Sequence, residues 1–160
     1  MKPVYLALGS NLGDREQYIR AGILGLATHQ IQIIRQASIY STEPREILDQ
    51  PWFLNTAIET ATELQPHDLL HICLEVERDN LRVRDTAKGP RTLDIDIIFY
   101  GNEIIHDPGL TIPHPNLATR RFVLAPLVEI APDFVDPVSR KTLRELFQAC
   151  GDQAQVRRLS

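Results

Sequence analysis

The sequence predicts an α+β fold: an antiparallel sheet built in the order strand, helix, strand, strand, helix, strand, with further helices after it. Three observations predict it. Short apolar, strand-like runs recur at Val4–Leu8, Ile31–Tyr40, Leu54–Thr62 and Thr92–Tyr100. Stretches of helical period fall after the first and after the third of these runs. The chain has no internal repeat or low-complexity segment, and 160 residues suit one domain, 1–160, with one core of ordinary size.

Val4–Leu8 is closed by Gly9 and reads as a buried strand. Gly13-Asp14 opens a helix. Asp14 caps it with Gln17 three residues later, and Ile19, Ile23, Leu26 and Ala27 follow at helical spacing. Ile31–Tyr40 starts with the alternation of Ile31 and Ile33 and reads as one strand. Ser41–Trp52 holds two prolines and several charges and reads as a long loop, the kind that often carries function. Leu54–Thr62 alternates again. Pro66 stands in the first turn of a second helix, where proline is favoured, with Leu69, Cys73 and Val76 on its apolar face.

Thr92–Tyr100 is the clearest strand. Gly101-Asn102 reads as a two-residue hairpin turn into Glu103-Ile104-Ile105. Pro113-His114-Pro115 is a rigid loop. Arg121–Ile130 reads as a helix with a bend or break near Pro126. Thr142–Ala149 reads as a last short helix, with Gly151 near its C-terminal cap. The order β-α-β-β-α-β is that of ferredoxin-like folds, whose usual layout is a four-stranded antiparallel sheet with helices on one face. Such a fold hosts many functions and gives none by itself.

Composition narrows the classes. The formal net charge is −4, which argues against a dedicated nucleic-acid binder. No apolar run approaches the roughly 20 residues of a membrane span. Met1–Tyr5 runs straight into a strand pattern without the apolar stretch of a signal peptide, so the cytoplasm is the expected compartment. Cys73 and Cys150 are far apart and form no C-x-x-C pair, so no disulfide framework is expected. Cys73 reads as a small core residue.

The sharpest chemical signal is Arg91-Thr92-Leu93-Asp94-Ile95-Asp96-Ile97-Ile98. Side chains alternate faces along a strand, so Asp94 and Asp96 share one face, roughly 6.6 Å apart along the chain. Two such carboxylates repel unless a cation lies between them. Carboxylates with phosphate oxygens are the usual ligands of magnesium. The bland alternative is a solvated sheet face, but aspartate is poorly suited to strands. The preceding stretch carries Arg82, Arg84, Lys88 and Arg91 against Asp85 alone. That pairing of carboxylates and cations suits a metal-bound polyphosphate, which guanidinium groups grip in bidentate fashion. Gly9-Ser10-Asn11-Leu12-Gly13 follows a strand and precedes a helix but lacks the lysine of a P-loop.

These residues resemble the 6-hydroxymethyl-7,8-dihydropterin pyrophosphokinases of folate biosynthesis over nearly the whole chain. The blocks are Ala7–Gly13, Tyr40–Pro44, Asp49–Asn55, Lys88–Ile98, and Ile112–Pro115 with Arg120 and Phe122. The resemblance implies a monomeric ferredoxin-like enzyme that uses ATP and two magnesium ions. It transfers the β,γ-pyrophosphate to the pterin hydroxymethyl oxygen and releases AMP. By the same resemblance, Asp94 and Asp96 bind the metals. Arg82, Arg84, Arg91, His114 and Arg120 contact or steer the triphosphate, with Glu77 and Ile97 on the nucleotide side. Phe53 and Phe122 sandwich the pterin ring, while Asn55, Thr42 and the backbone near Pro44 and Arg45 read its polar edge. Loops Glu43–Gln50 and Arg84–Gly89 are expected to close over the substrates.

Three positions depart from the common family pattern: Lys88 in place of a tryptophan, Gly109 where some members have an arginine, and Arg45-Glu46 in the pterin loop. Two rivals stand beside this reading. A nucleotidyltransferase also pairs Gly-Ser with D-x-D, though with the two motifs close together, and would release pyrophosphate. An RNA-binding ferredoxin-like module would need exposed aromatics on its strands. His67 and His71 have a zinc-compatible spacing, but Asp68 replaces the glutamate of H-E-x-x-H and no third ligand is evident.

Overall fold

The computed structural model describes residues 2–43, 51–80 and 92–159. Strand β1 (Pro3–Ser10) is the spine of the sheet. It pairs antiparallel with β4 (Phe53–Thr62) on one side and with β5 (Asp94–Tyr100) on the other. The outer side of β4 carries β2 (Ile31–Gln36) and then β3 (Ile39–Thr42). A strand that periodicity did not reveal, β8 (Val156–Leu159), pairs with β3 and makes the sheet six-stranded.

The run read as one strand, Ile31–Tyr40, is thus two. The Ala37 amide still donates to the Ala57 carbonyl at 2.9 Å. The Thr56 hydroxyl lies between the Ala37 and Ser38 carbonyls, 3.0 and 3.1 Å away. A partner on another strand therefore supports the interruption, which the local apolar pattern does not encode. Strand β3 also extends through Thr42, into the stretch read as loop.

Helices cover both faces. α1 (Arg15–Ala27) and α2 (Pro66–Asp79) pack on Val4, Leu6, Leu8, Ile58, Ile95 and Ile97. Asp14 caps α1 as expected, its carboxylate accepting the Gln17 amide at 3.3 Å. α3 (Arg121–Ile130) and α4 (Leu143–Ala149) lie on the other face over Tyr5, Ala57, Ile98 and Phe99. The sequence left the place of these C-terminal helices open. Tyr5, Phe99 and Phe134 form an aromatic cluster beneath them, with centroids 4.7–6.2 Å apart and Tyr5 edge-on to both phenylalanines.

Several local expectations need revision. α3 runs unbroken through Pro126. α4 is set by a full capping box between Thr142 and Glu145, and it ends at Cys150 in an extended conformation without a left-handed glycine. Gly101 does make a turn, at φ +54°, with the Glu103 amide on the Tyr100 carbonyl at 3.0 Å. The chain beyond does not return along β5. Instead β6 (Ile105–Asp107) pairs with β7 (Leu110–Ile112) in a separate hairpin. Its turn needs the left-handed φ of +79° that Gly109 supplies. At this turn, glycine is the residue type the backbone favours.

Candidate active site

One end of the sheet gathers the polar residues, on the face shared with α3 and just beyond the start of that helix. The register of three strands sets the pattern. Asp94 on β5 is opposite Gly9 on β1, and Gly9 is opposite Asn55 on β4. Residues directly opposite across a sheet project from the same face. One step inward, Asp96 is opposite Ala7, and Ala7 opposite Ala57. Each aspartate therefore has a small neighbour on β1, glycine or alanine. Both carboxylates are half-buried, and two carboxylates on one face are a donor set that fits a hard divalent cation. Among the described residues no third His, Cys, Asp or Glu joins them.

Asn55 is 7% exposed and Thr42 1% exposed. The Asn55 amide donates to the Thr42 hydroxyl at 2.7 Å, which fixes the direction of its carboxamide. Thr42 is in turn opposite Phe53, so a hydroxyl, an amide and an aromatic ring cluster at the β3–β4 edge of the site. The start of the chain's first loop braces this edge. The Asn11 amide donates to the Pro51 carbonyl at 3.3 Å, and the Arg15 guanidinium to the Trp52 carbonyl at 2.7 Å.

The far wall comes from the segment before α3. The His114 amide donates to the Ile98 carbonyl at 3.1 Å and ties this loop to β5. His114 Nδ1 accepts the Asn116 amide at 3.2 Å, so in the neutral ring the proton sits on Nε2. Burial and then the Arg120 charge push the His114 pKa down, against an opposing pull from Asp94. The three groups therefore feel one another. The Arg120 guanidinium lies 5.8 Å from the centre of the Phe122 ring.

Two expected site residues do not join this face. Ile97 is 6% exposed and its side chain belongs to the core under α1 and α2. Glu77 is 2% exposed, near the end of α2. Its carboxylate accepts the Ile95 amide at 2.7 Å. β5 is the edge of the sheet, so Glu77 satisfies an edge amide lying between the two aspartates. Pro44, Arg45, Arg82, Arg84, Lys88 and Arg91 lie outside the described residues, as do most of both loops expected to close. His67 does not form a metal site with His71; its ring pairs with Asp107 at 2.8 Å.

A family model for 7,8-dihydro-6-hydroxymethylpterin-pyrophosphokinase (HPPK) matches residues 5–132. The chain belongs to this family. It is 42% identical over 146 residues to the 2-amino-4-hydroxy-6-hydroxymethyldihydropteridine pyrophosphokinase of Methylorubrum extorquens, covering 91% of each chain. It is 44% identical over 127 residues to the enzyme of that name from Bacillus subtilis, covering 79% of this chain and 76% of that one. A folic acid synthesis protein of Pneumocystis carinii is 38% identical over 149 residues, of which this chain spans 20%. Among solved structures, an HPPK-DHPS in complex with substrates superposes with a TM-score of 0.73 at 14% identity, and the Plasmodium falciparum HPPK-DHPS with 0.72 at 16%. These matches cover 93% and 91% of this chain but only 45% and 44% of those longer chains. At such low identity they speak for the fold, which is the α+β ferredoxin-like arrangement the sequence predicts.

Sequence reading missed two contributors, Gly9 and the C-terminal strand, and named Glu77 without its contact to the Ile95 amide. Gly9 lies between Asp94 and Asn55, and its place inside a glycine-containing block was the available signal. Glu77 acts on a backbone amide, which no spacing rule announces. The C-terminal strand has too few residues for periodicity to register.

Proposed function

We propose that the chain transfers the β,γ-pyrophosphate of ATP to the hydroxymethyl oxygen of 6-hydroxymethyl-7,8-dihydropterin and releases AMP, a step of folate biosynthesis. The observation that carries this reading is the row Asp94, Gly9, Asn55 across three strands. Neighbouring strands are about 4.8 Å apart, so the carboxylate and the amide stand roughly 10 Å apart across a glycine. A flat bicyclic ring anchored at Asn55 therefore presents its one-carbon arm to a polyphosphate held beside Asp94.

Phe53 and Phe122 offer faces for the ring. Asn55 provides both a donor and an acceptor for the polar edge, with Thr42, Pro44 and Arg45 completing it. Arg82, Arg84, Arg91 and Arg120 hold the triphosphate, and the His114 Nε2–H donates to it as a neutral group. Glu77 and Ile97 support the nucleotide side from beneath the strand. Two magnesium ions, held by Asp94 and Asp96, would neutralise the phosphates and orient the attacking and leaving oxygens. Positioning and electrostatics then supply most of the rate, and no protein base is assigned.

Among the described residues no helix is long and apolar enough to cross a membrane. We read residues 1–160 as one domain, acting as a cytoplasmic monomer that binds neither nucleic acid nor membrane. An RNA-binding module of this fold would use the sheet face that α3 and α4 cover here. The relatives lend the nucleotidyltransferase reading no support.

The test is turnover with ATP, magnesium and the hydroxymethyl dihydropterin, scored for nucleotide products. AMP should appear in step with pterin diphosphate, and Asp96→Ala should lower the rate by orders of magnitude with the fold retained. Release of pyrophosphate in place of AMP would overturn the reaction. Near-normal turnover of Asp96→Ala would overturn the metal assignment.

A further inference from the structure

The segment after α4 lies beyond residues 5–132, where the family match ends. It nevertheless touches both walls of the site described above. On one side, the Asp152 carboxylate accepts the Arg121 amide at 3.0 Å, at the first residue of α3, between Arg120 and Phe122. Asp152 is itself shaped by the Ala154 amide, which donates to its other oxygen at 3.0 Å.

On the other side, Gln155 and Glu43 clasp each other. The Gln155 amide donates to the Glu43 carboxylate at 2.7 Å, and the Glu43 amide to the Gln155 carbonyl at 3.1 Å. β8 then places Val156 opposite Thr42, which is opposite Phe53, in one row across three strands. Next along, the Arg157 guanidinium lies 5.7 Å from the centre of the Trp52 ring, adjacent to Phe53. Few residues of chain thus join the base of Phe122 to the strand edge that carries Thr42, Phe53 and Asn55.

We propose that Asp152 and Arg157 are positioning residues for the pterin: the C-terminal segment fixes the separation of the Phe122 wall from the Phe53 wall. This rests on the pterin assignment of those two rings made above. A flat ring held between two aromatic faces is sensitive to their spacing, because dispersion falls steeply with sub-ångström gaps. The carboxylates stand at the opposite edge, on β5, which pairs with β1 and whose Ile95 amide is held by Glu77. Loosening the segment should therefore weaken the pterin more than the nucleotide, which would feel the change through Arg120 alone.

Steady-state kinetics with each substrate varied tests this, using the full-length chain. Wild-type turnover with AMP release comes first; without it the reaction assignment fails, independently of this inference. Given turnover, Asp152→Ala should raise KM for the pterin by about tenfold and KM for ATP by no more than about threefold, with kcat little changed. Asp152→Asn keeps one acceptor oxygen, for the Arg121 amide, but loses the one that receives the Ala154 amide, and should recover part of the pterin KM. Arg157→Ala, at an exposed position, should raise the pterin KM by about threefold and shift the emission of Trp52, the single tryptophan. Equal rises in both KM values, or a lowered melting temperature with the pterin KM unmoved, would reduce the segment to a purely structural role. Should Asp152→Ala fail to fold, Arg157→Ala and Asp152→Asn decide the matter alone.

Discussion

The side-chain oxygen of Asn55 occupies the space a Cβ on Gly9 would need: an ideal Cβ built there would stand 2.6 Å from Asn55 Oδ1. Gly9 is not in a left-handed conformation, so its role is clearance and not backbone freedom. The carboxamide lies over the glycine because its amide is tied to the Thr42 hydroxyl. That bond keeps the oxygen from swinging aside.

Gly9→Ala should therefore displace Asn55 and break its bond to Thr42. We expect a loss of about 1–3 kcal/mol of stability from overpacking. The KM for the pterin should rise by about tenfold or more, since a buried slot left with mispaired polar groups discriminates strongly. Denaturant unfolding and substrate kinetics on one preparation check both. An unchanged pterin KM would show that the orientation of Asn55 does not matter for binding.

Glu77 separates a structural from a nucleotide-binding role. Glu77→Leu removes the acceptor of the buried Ile95 amide and should cost about 1–3 kcal/mol. Because Ile95 lies between Asp94 and Asp96, the same change should raise the magnesium concentration needed for half-maximal AMP release. Glu77→Gln keeps an acceptor oxygen and should recover most of both losses. If Glu77 acted mainly on the nucleotide, KM for ATP would rise in both variants while stability held.

His114 gives a pH signature. Its folded-state pKa is held below the usual 6.5 by burial first and by Arg120 second, with Asp94 opposing. As pH falls through about 6.5 the unfolded chain takes up this proton before the folded one does. The contribution of His114 to stability is thus whole above that pH and is lost as pH falls toward and through the folded value. His114→Asn keeps an acceptor for the Asn116 amide but cannot titrate. The decline of unfolding free energy between pH 7 and 5 should be shallower in this variant than in the wild type. Parallel curves would remove His114 from the account.

The parts of the fold and site written in contiguous residues were legible in advance. The Asp14 cap, the two N-terminal helices and the shared face of Asp94 and Asp96 follow from local stereochemistry, which each segment carries alone. The Ala37–Ser38 interruption does not, because the Thr56 hydroxyl that supports it belongs to another strand. The same holds for β8, a strand of four residues that exists only because β3 offers an edge. The hairpin expected at Gly101 failed for a related reason. The turn was right, but the following segment found its partner at Leu110–Ile112 and not along β5.

By itself the sequence determined the chemistry available to this protein: two carboxylates in phase on one strand, cations before them, and aromatic and amide residues in blocks that mark the HPPK family. It also determined where the helices form, since capping and periodicity act over a few residues. Only the tertiary structure decided which of those groups meet. Register put Gly9 between Asp94 and Asn55, α3 and α4 closed the second face, Glu77 turned inward to an edge amide, and the C-terminal strand joined the two walls. Each of these depends on hydrogen bonds and packing between residues far apart in the chain, which no local pattern contains.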